Sequence, residues 1–252
     1  MTNSFTRTLS LIAISTPLAA VELRPLSTDR PDTTESPYTV DAGHFQFEME
    51  VAAWTREGSA DSVSLGELNA KFGLNTSTDL QVVISYFTHE DSGAEGFGDI
   101  QVRLKHNLWG NDEGSTALAV MPYLKLPTAN SDLGNGKLEG GIIVPFAFDG
   151  PGEWGCAVMT QLDIAEDSDG SGYHAVSVNS VTASHAITEN AAVFFELVGI
   201  FSADSDDHTE AYFNTGCTYA LDATTQLDGG VRLGLTDASA DVTPFLGLSK
   251  KF

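Results

Sequence analysis

Basic residues are scarce in this chain: 12 Lys and Arg stand against 35 Asp and Glu in 252 residues, a formal net charge of −23. A surface so rich in carboxylates repels nucleic acid, heparin-like chains and bare anionic lipid, so no nucleic-acid partner is expected. Cysteine is nearly absent, and Cys156 and Cys217 lack the spacing of a metal or redox site. They are expected on non-neighbouring strands, as small buried or lipid-facing side chains. Long apolar runs are also missing: beyond the first 20 residues the longest, Ile142 to Phe148, contains Pro145, far short of the roughly 20 residues a spanning helix needs. If the chain crosses a membrane, it must do so with strands. No G-x-S-x-G elbow is present. Ser184 and His185 are adjacent, which sends their side chains to opposite faces of a strand. The six histidines, at 44, 89, 106, 174, 185 and 208, are scattered without the spacing of a metal site. Asp167-x-Asp169-x-Ser171-Gly172 resembles the start of a calcium loop, but position twelve is Val178 instead of Glu. No enzyme activity, catalytic residue, cofactor or metal is therefore expected.

What the chain does have begins with a leader. Arg7, the apolar stretch Leu9 to Ser15 and the small-residue ending Pro17-Leu18-Ala19-Ala20 read as a secretory signal peptide over 1–20. Without Arg7 the net charge becomes one unit more negative. A Pro-rich segment follows at 21–43, and residues 44–252 read as one β-domain, because no linker-like stretch divides them.

From residue 44 onward the pattern alternates with period two, broken at intervals by Gly, Asn, Asp, Ser and Thr clusters. Phe45, Phe47, Met49, Val51 and Ala53 oppose His44, Gln46, Glu48 and Glu50; Ile100, Val102 and Leu104 oppose Gln101, Arg103 and Lys105. Twelve strands are predicted, at 44–56, 63–74, 79–88, 98–108, 116–127, 137–148, 153–164, 173–186, 190–202, 210–220, 226–236 and 242–252. Strands of soluble sheets are about half as long, so the lengths favour an antiparallel up-and-down transmembrane β-barrel over a sandwich. One set of connections, such as 75–78 and 221–225, is compact; the other, 57–62, 89–97, 128–136, 165–172, 203–209 and 237–241, is longer on average and acidic, as expected of external loops. Trp54, Tyr86, Tyr173, Phe201 and Tyr212 near the acidic ends, with Trp109, Phe148, Trp154, Tyr219 and Phe252 near the compact ends, outline two aromatic belts.

The acidic loops read as a solvated, aggregation-resistant rim; the alternatives are a cation-attracting rim and sites for divalent ions that bridge lipopolysaccharide phosphates. The face opposite the apolar one carries Glu48, Glu50, Glu67, Lys71, Arg103, Lys105, Lys125, Glu139, Asp163, Glu196, Asp228 and Arg232. Charges of both signs are costly in lipid, so this face is assigned to a lumen, either as a solute pathway or as a salt-bridged filling. In the segment before the first strand, Asp29, Arg30, Pro31, Asp32 and Glu35 combine charge with a rigid, non-helical backbone. The flanking carboxylates can satisfy Arg30 inside a lumen. Two readings stand side by side: a plug or gate, and a periplasmic tail at the barrel rim.

The string Thr28-Asp29-Arg30-Pro31-Asp32-Thr33-Thr34-Glu35-Ser36-Pro37, followed by Gly43-x-Phe45-Gln46-Phe47-Glu48, resembles the opening of the outer-membrane barrel family of meta-pathway phenol-degradation proteins, often called transporters. Further matches are Gly98-Asp99-Ile100 with Lys105, Pro122-Tyr123-Leu124-x-Leu126-Pro127-Thr128, and the closing Phe252. Thr33 and Ala129 depart from the aromatic and the glycine frequent in that family. The resemblance implies an outer-membrane β-barrel, in a Gram-negative bacterium, that passes small hydrophobic or aromatic solutes. The terminal Leu246-x-Leu248 with Phe252 similarly looks like a signal for the barrel-insertion machinery. Expected partners are thus outer-membrane lipid and lipopolysaccharide, that machinery, and a small-molecule solute. A non-conducting structural barrel and, more remotely, an outer-membrane hydrolase are the competing readings.

Overall fold

In a computed structural model, residues 23–252 are described except 113, 131, 132, 168 and 205–207, so the proposed leader and Asp132, Asp206 and Asp207 of the acidic rim lie outside the described residues. Alternation of apolar and polar side chains gives β1 (Phe45–Glu57), β2 (Ala60–Asn75), β3 (Thr78–Glu90), the two-residue β4 (Glu95–Gly96), β5 (Ile100–Trp109), β6 (Thr116–Leu126) and β7 (Glu139–Asp149). The second half contains β8 (Gly155–Glu166), β9 (Tyr173–Ala186), β10 (Ala191–Ser202), β11 (Glu210–Asp222), β12 (Thr225–Gly234) and β13 (Val242–Lys251). Each long strand pairs antiparallel with its sequence neighbour, and β1 pairs with β13 from Gln46↔Lys251 to Arg56↔Val242. Twelve strands therefore close on themselves, while β4 only adds two residues against β3. Closure leaves no open long edge, which a lipid environment requires.

Burial is inverted relative to a water-soluble protein. The most deeply buried side chains include Lys105, Gln46, Gln81, Glu48, Glu196 and Asp79, whereas Leu124, Leu162, Ile164, Leu197 and Leu246 are exposed on the outer wall. An apolar band of this extent is unfavourable in water and costs nothing against lipid tails. Tyr86, Phe97, Tyr173 and Phe201 stand exposed near one end of the wall, and Trp109, Tyr219 and Phe252 near the other. Tyr212 does not join this belt: it is half-buried, with its hydroxyl donating to Glu210.

Three further expectations need correction. The alternation in β1 breaks between Glu50 and Ala52, where the pairing with β13 shifts by one residue. Ala53 consequently packs inside with Phe194 and Phe245, and does not continue the outward series of Phe45 to Val51. Gly66, at φ +71°, sits opposite this break in β2, in a backbone conformation that a side chain disfavours. The inner wall is also not uniformly polar. Met121, Ile143 and Met159 form a buried apolar cluster on β6, β7 and β8, next to the fully buried Ala117 and Ala119. The first acidic connection is a two-residue turn at 58–59 in place of the six-residue loop predicted over 57–62.

Both chain ends of the barrel lie with the compact connections, the periplasmic side of an outer-membrane barrel. The segment before β1 enters from that side. Gly43 N–H bonds to the Gly73 carbonyl at 2.8 Å and Gly73 N–H to the His44 carbonyl at 3.0 Å, which starts the segment along the inner end of β2. A Cβ on Gly73 would lie 2.0 Å from the Asp41 carbonyl oxygen, so only glycine admits the segment here.

Candidate functional site

Residues 24–41 run through the lumen and are held at three levels. At the periplasmic mouth, Arg24 Nε donates to Asp41 Oδ1 at 2.8 Å and Lys251 Nζ lies 3.3 Å from Asp41 Oδ2. Burial disfavours the charged form of Asp41, but the Arg24 hydrogen bond, Arg24's charge and Lys251 outweigh it and hold this carboxyl below the usual carboxylate range. Asn111, in the turn between β5 and β6, accepts the Thr39 N–H at 3.0 Å, and Asp79 of β3 accepts the Val40 N–H at 2.9 Å.

The middle level is an ion network around Asp29 and Arg30. Lys105 donates to Asp29 Oδ1 at 2.6 Å, and Lys71 pairs with both Asp29 and Glu48. Glu48 accepts the backbone N–H groups of Asp29 at 2.8 Å and Arg30 at 3.0 Å. Arg30 bridges Asp228 at 2.8 Å and Glu50 at 3.2 Å, and its guanidinium lies 5.6 Å from the ring centre of Phe245. Arg232 reaches the same Glu50 at 2.6 Å and stacks over the same ring at 4.4 Å. Gly247 makes room for Arg30, a role that no sequence pattern announces.

The third level crosses to the far wall. Glu196 of β10 accepts the N–H groups of Thr33 at 2.9 Å and Thr34 at 2.7 Å, and Asn214 of β11 donates to it at 2.7 Å. Glu35 meets Arg103 of β5 at 2.7 Å. Asp32 receives a hydrogen bond from Thr182 and faces Glu196; burial first, then the charge of Glu196, push its carboxyl up to about 7. Isolated charges in such a space are costly, and here they are almost all paired or fully hydrogen-bonded.

Of the twelve strand residues assigned to the lumen, Glu48, Glu50, Lys71, Arg103, Lys105, Glu196 and Asp228 bond the segment directly, and Arg232 does so through Glu50. Four do not. Glu67 is bonded to Ser85, and Asp163 accepts from Tyr123 at 2.6 Å. Lys125 and Glu139 pair with each other near the external end. The motif residues Asp29, Arg30, Pro31, Asp32 and Glu35 all sit in the same stretch of lumen. Gln46, on the polar face of β1, also holds the segment, donating to the Ser27 carbonyl at 2.7 Å; so do Asp79, Thr182, Ser180 and Asn214, which sequence does not mark, because a neutral or lone polar residue on an inner face carries little signal.

The segment has space on both sides. Toward the external end lies a cavity of about 840 Å³ lined by Glu67, Asn69, Val83, Arg103 and Arg232; toward the periplasm lies one of about 960 Å³ lined by Ser115, Ala147, Ala157, Ser184, Ala192 and Gln226. Asp29, Arg30, Pro31, Asp32 and Glu35 line both. Asn69 Oδ1, in a residue of the external cavity, is a buried acceptor with no protein partner, while the Glu35 carboxyl there shares a hydrogen bond with Asp29.

Cys156 and Cys217 are free thiols on β8 and β11, which are not neighbours, and Cys217 is exposed, as expected.

A closed antiparallel ring with an apolar exterior and a charged interior is an outer-membrane β-barrel. The family model described as "Putative MetA-pathway of phenol degradation" matches residues 28–252, and the chain belongs to that family. Its fold is similar to that of the COG4313 outer membrane channel from Pseudomonas putida F1, at TM-score 0.66 and 12% identity, over 86% of this chain and 98% of that one. The NanC porin is similar at TM-score 0.60 and 9% identity, over 82% of this chain and the whole of the porin. These solved neighbours are a channel and a porin. No curated protein matches the chain.

Proposed function

We propose that the barrel passes small solutes, including hydroxylated aromatics, across the outer membrane, and that residues 24–41 form the gate they must pass. The observation that carries this reading is the pair of cavities sharing the wall made by Asp29, Arg30, Pro31, Asp32 and Glu35. A solute travelling along the lumen meets this wall, and movement of the segment joins the two spaces. Glu67, Asn69, Arg103 and Arg232 are the groups met first from outside. The carboxylate, amide and guanidinium groups lining this space suit a solute that carries a hydroxyl, and the family's link to phenol degradation agrees with that chemistry. The residues of the wall are those of the N-terminal motif, so the plug reading of the segment is preferred to the tail reading. Passage needs no energy source of its own.

Isosmotic swelling of liposomes carrying the purified protein tests the proposal, with small sugars, benzoate and 4-hydroxybenzoate as solutes. Entry of 4-hydroxybenzoate in preference both to benzoate and to a sugar of similar size is the expected result; equal exclusion of all solutes opposes it. The density of ion pairs in the wall favours a second reading, a barrel sealed for structural purposes. It predicts no swelling even when the segment's anchors are removed.

A further inference from the structure

Away from the lumen, the folding of the external loops assembles a group of ligands that sequence spacing hides. Asp167 lies in the connection after β8, His174 is the second residue of β9, and Asp204 lies in the connection after β10. One donor atom from each falls within 4.8 Å of the others, with His174 Nδ1 3.1 Å from Asp167 Oδ1 and 4.0 Å from Asp204 Oδ2. The β9–β10 turn is periplasmic, so the two connections are neighbours at the external end, joined by the Ala203 N–H to the Ala175 carbonyl at 2.9 Å.

Three features separate this group from the solvated acids elsewhere on the rim. Its side chains are largely withdrawn from water: His174 and Asp204 are 10% exposed and Asp167 is 27% exposed. Its place is shaped by a glycine, since a Cβ on Gly172 would stand 2.7 Å from Asp167 Oδ2. Its histidine also lines a cavity of about 930 Å³, with Glu166, His208 and Glu210 on the same wall, so further donors stand beside His174.

We infer that Asp167, His174 and Asp204 bind a divalent first-row transition ion that ties the two external loops together. Bonds of about 2.0–2.2 Å from zinc to imidazole nitrogen or carboxylate oxygen place neighbouring donors about 3.0–3.5 Å apart, within a small closure of the spacing present here. Calcium and magnesium seek shells of oxygen, so the imidazole shifts preference toward zinc and its neighbours in the series. The acidic loops around the cluster raise the local concentration of cations.

The test uses the full chain in detergent after chelator treatment, titrated calorimetrically with zinc, calcium or magnesium. Wild type is expected to take up one zinc per chain at least tenfold more tightly than calcium. His174→Ala and Asp204→Asn are each expected to weaken zinc at least tenfold, and Gly172→Ala to weaken it by displacing the Asp167 carboxylate. Asp237→Asn, in another acidic connection, is expected to leave binding unchanged. Heat-modifiable mobility in gels confirms that each variant is a folded barrel. Cobalt gives a second readout, a visible absorption band present in wild type and lost in His174→Ala. Zinc no tighter than calcium overturns the assignment, as does zinc binding unaffected by His174→Ala or weakened as much by Asp237→Asn.

Discussion

Arg30 occupies the space that a side chain at position 247 would fill: a Cβ on Gly247 would lie 2.5 Å from both Nε and Nη2 of its guanidinium. The strand that closes the barrel is thus cut away at one residue so that the inserted segment can lodge its cation between Asp228 and Glu50. Gly247→Val should therefore dislodge Arg30 and press on its partner Asp228, whose Oδ1 also lies 2.5 Å from that Cβ position. Breaking a buried pair by displacing one partner costs about 3–5 kcal/mol. The expected outcome is faster proteolytic cleavage within residues 27–38 in intact barrels, matched by Arg30→Ala. Cleavage as slow as in wild type counts against the seat described here.

Glu196 holds the far end of the segment by accepting two backbone N–H groups and the Asn214 amide. Hydrogen bonds to a charged acceptor contribute about 1.5–3 kcal/mol each. Glu196→Gln removes the charge and turns one acceptor into a donor facing an N–H. Hydrogen exchange at Thr33 and Thr34 should accelerate at least tenfold, while exchange in the β10–β11 ladder stays slow. Equal acceleration in both places points to general loosening and opposes the assignment.

Asp32 gives the wall a pH dependence. Its pKa is raised in the seated state, so its contribution is fully present below its ordinary carboxylate pKa and fades as pH rises toward about 7. Above that value a new negative charge faces Glu196. Permeability to small solutes should rise between pH 5 and pH 8, and Asp32→Asn should abolish the rise. An unchanged pH profile in Asp32→Asn removes Asp32 from the gate.

The outer wall makes a separate demand. Leu246 is 63% exposed and faces lipid in this account. Leu246→Arg should destabilise the barrel by about 2–4 kcal/mol if it lies near the membrane centre. Denaturant unfolding in lipid vesicles measures this, and an effect below 0.5 kcal/mol, as at an ordinary water-exposed site (about ±0.5 kcal/mol), contradicts the placement.

The barrel was legible in the sequence because a period of two, sustained over long strands, records which face meets lipid. Strand bounds near 173–186 coincide with those observed, and most others fall within one or two residues. What escaped was local. The break at Val51 leaves Val51 and Ala52 consecutive on a run that looks like ordinary alternation, so a strict period of two points Ala53 outward, whereas it packs inside. Met121, Ile143 and Met159 point inward from strands that are apolar on both sides, where periodicity has no contrast to report. Among the charged lumen residues, parity found the face but not the partners. Lys71 and Lys125 read alike in sequence, yet one grips Asp29 deep in the lumen and the other pairs with Glu139 near the rim. Seats such as Gly247, and ligands gathered from separate loops such as His174 and Asp204, depend on through-space proximity that linear spacing does not encode.

The central claim is that residues 24–41 stand in the path of solutes through this barrel. Liposome swelling comparing the full chain with a folded barrel lacking residues 27–38 tests it most directly. A clear increase in the rate of small-solute entry on removal is the predicted result; equal rates, or no entry in either form, contradict it.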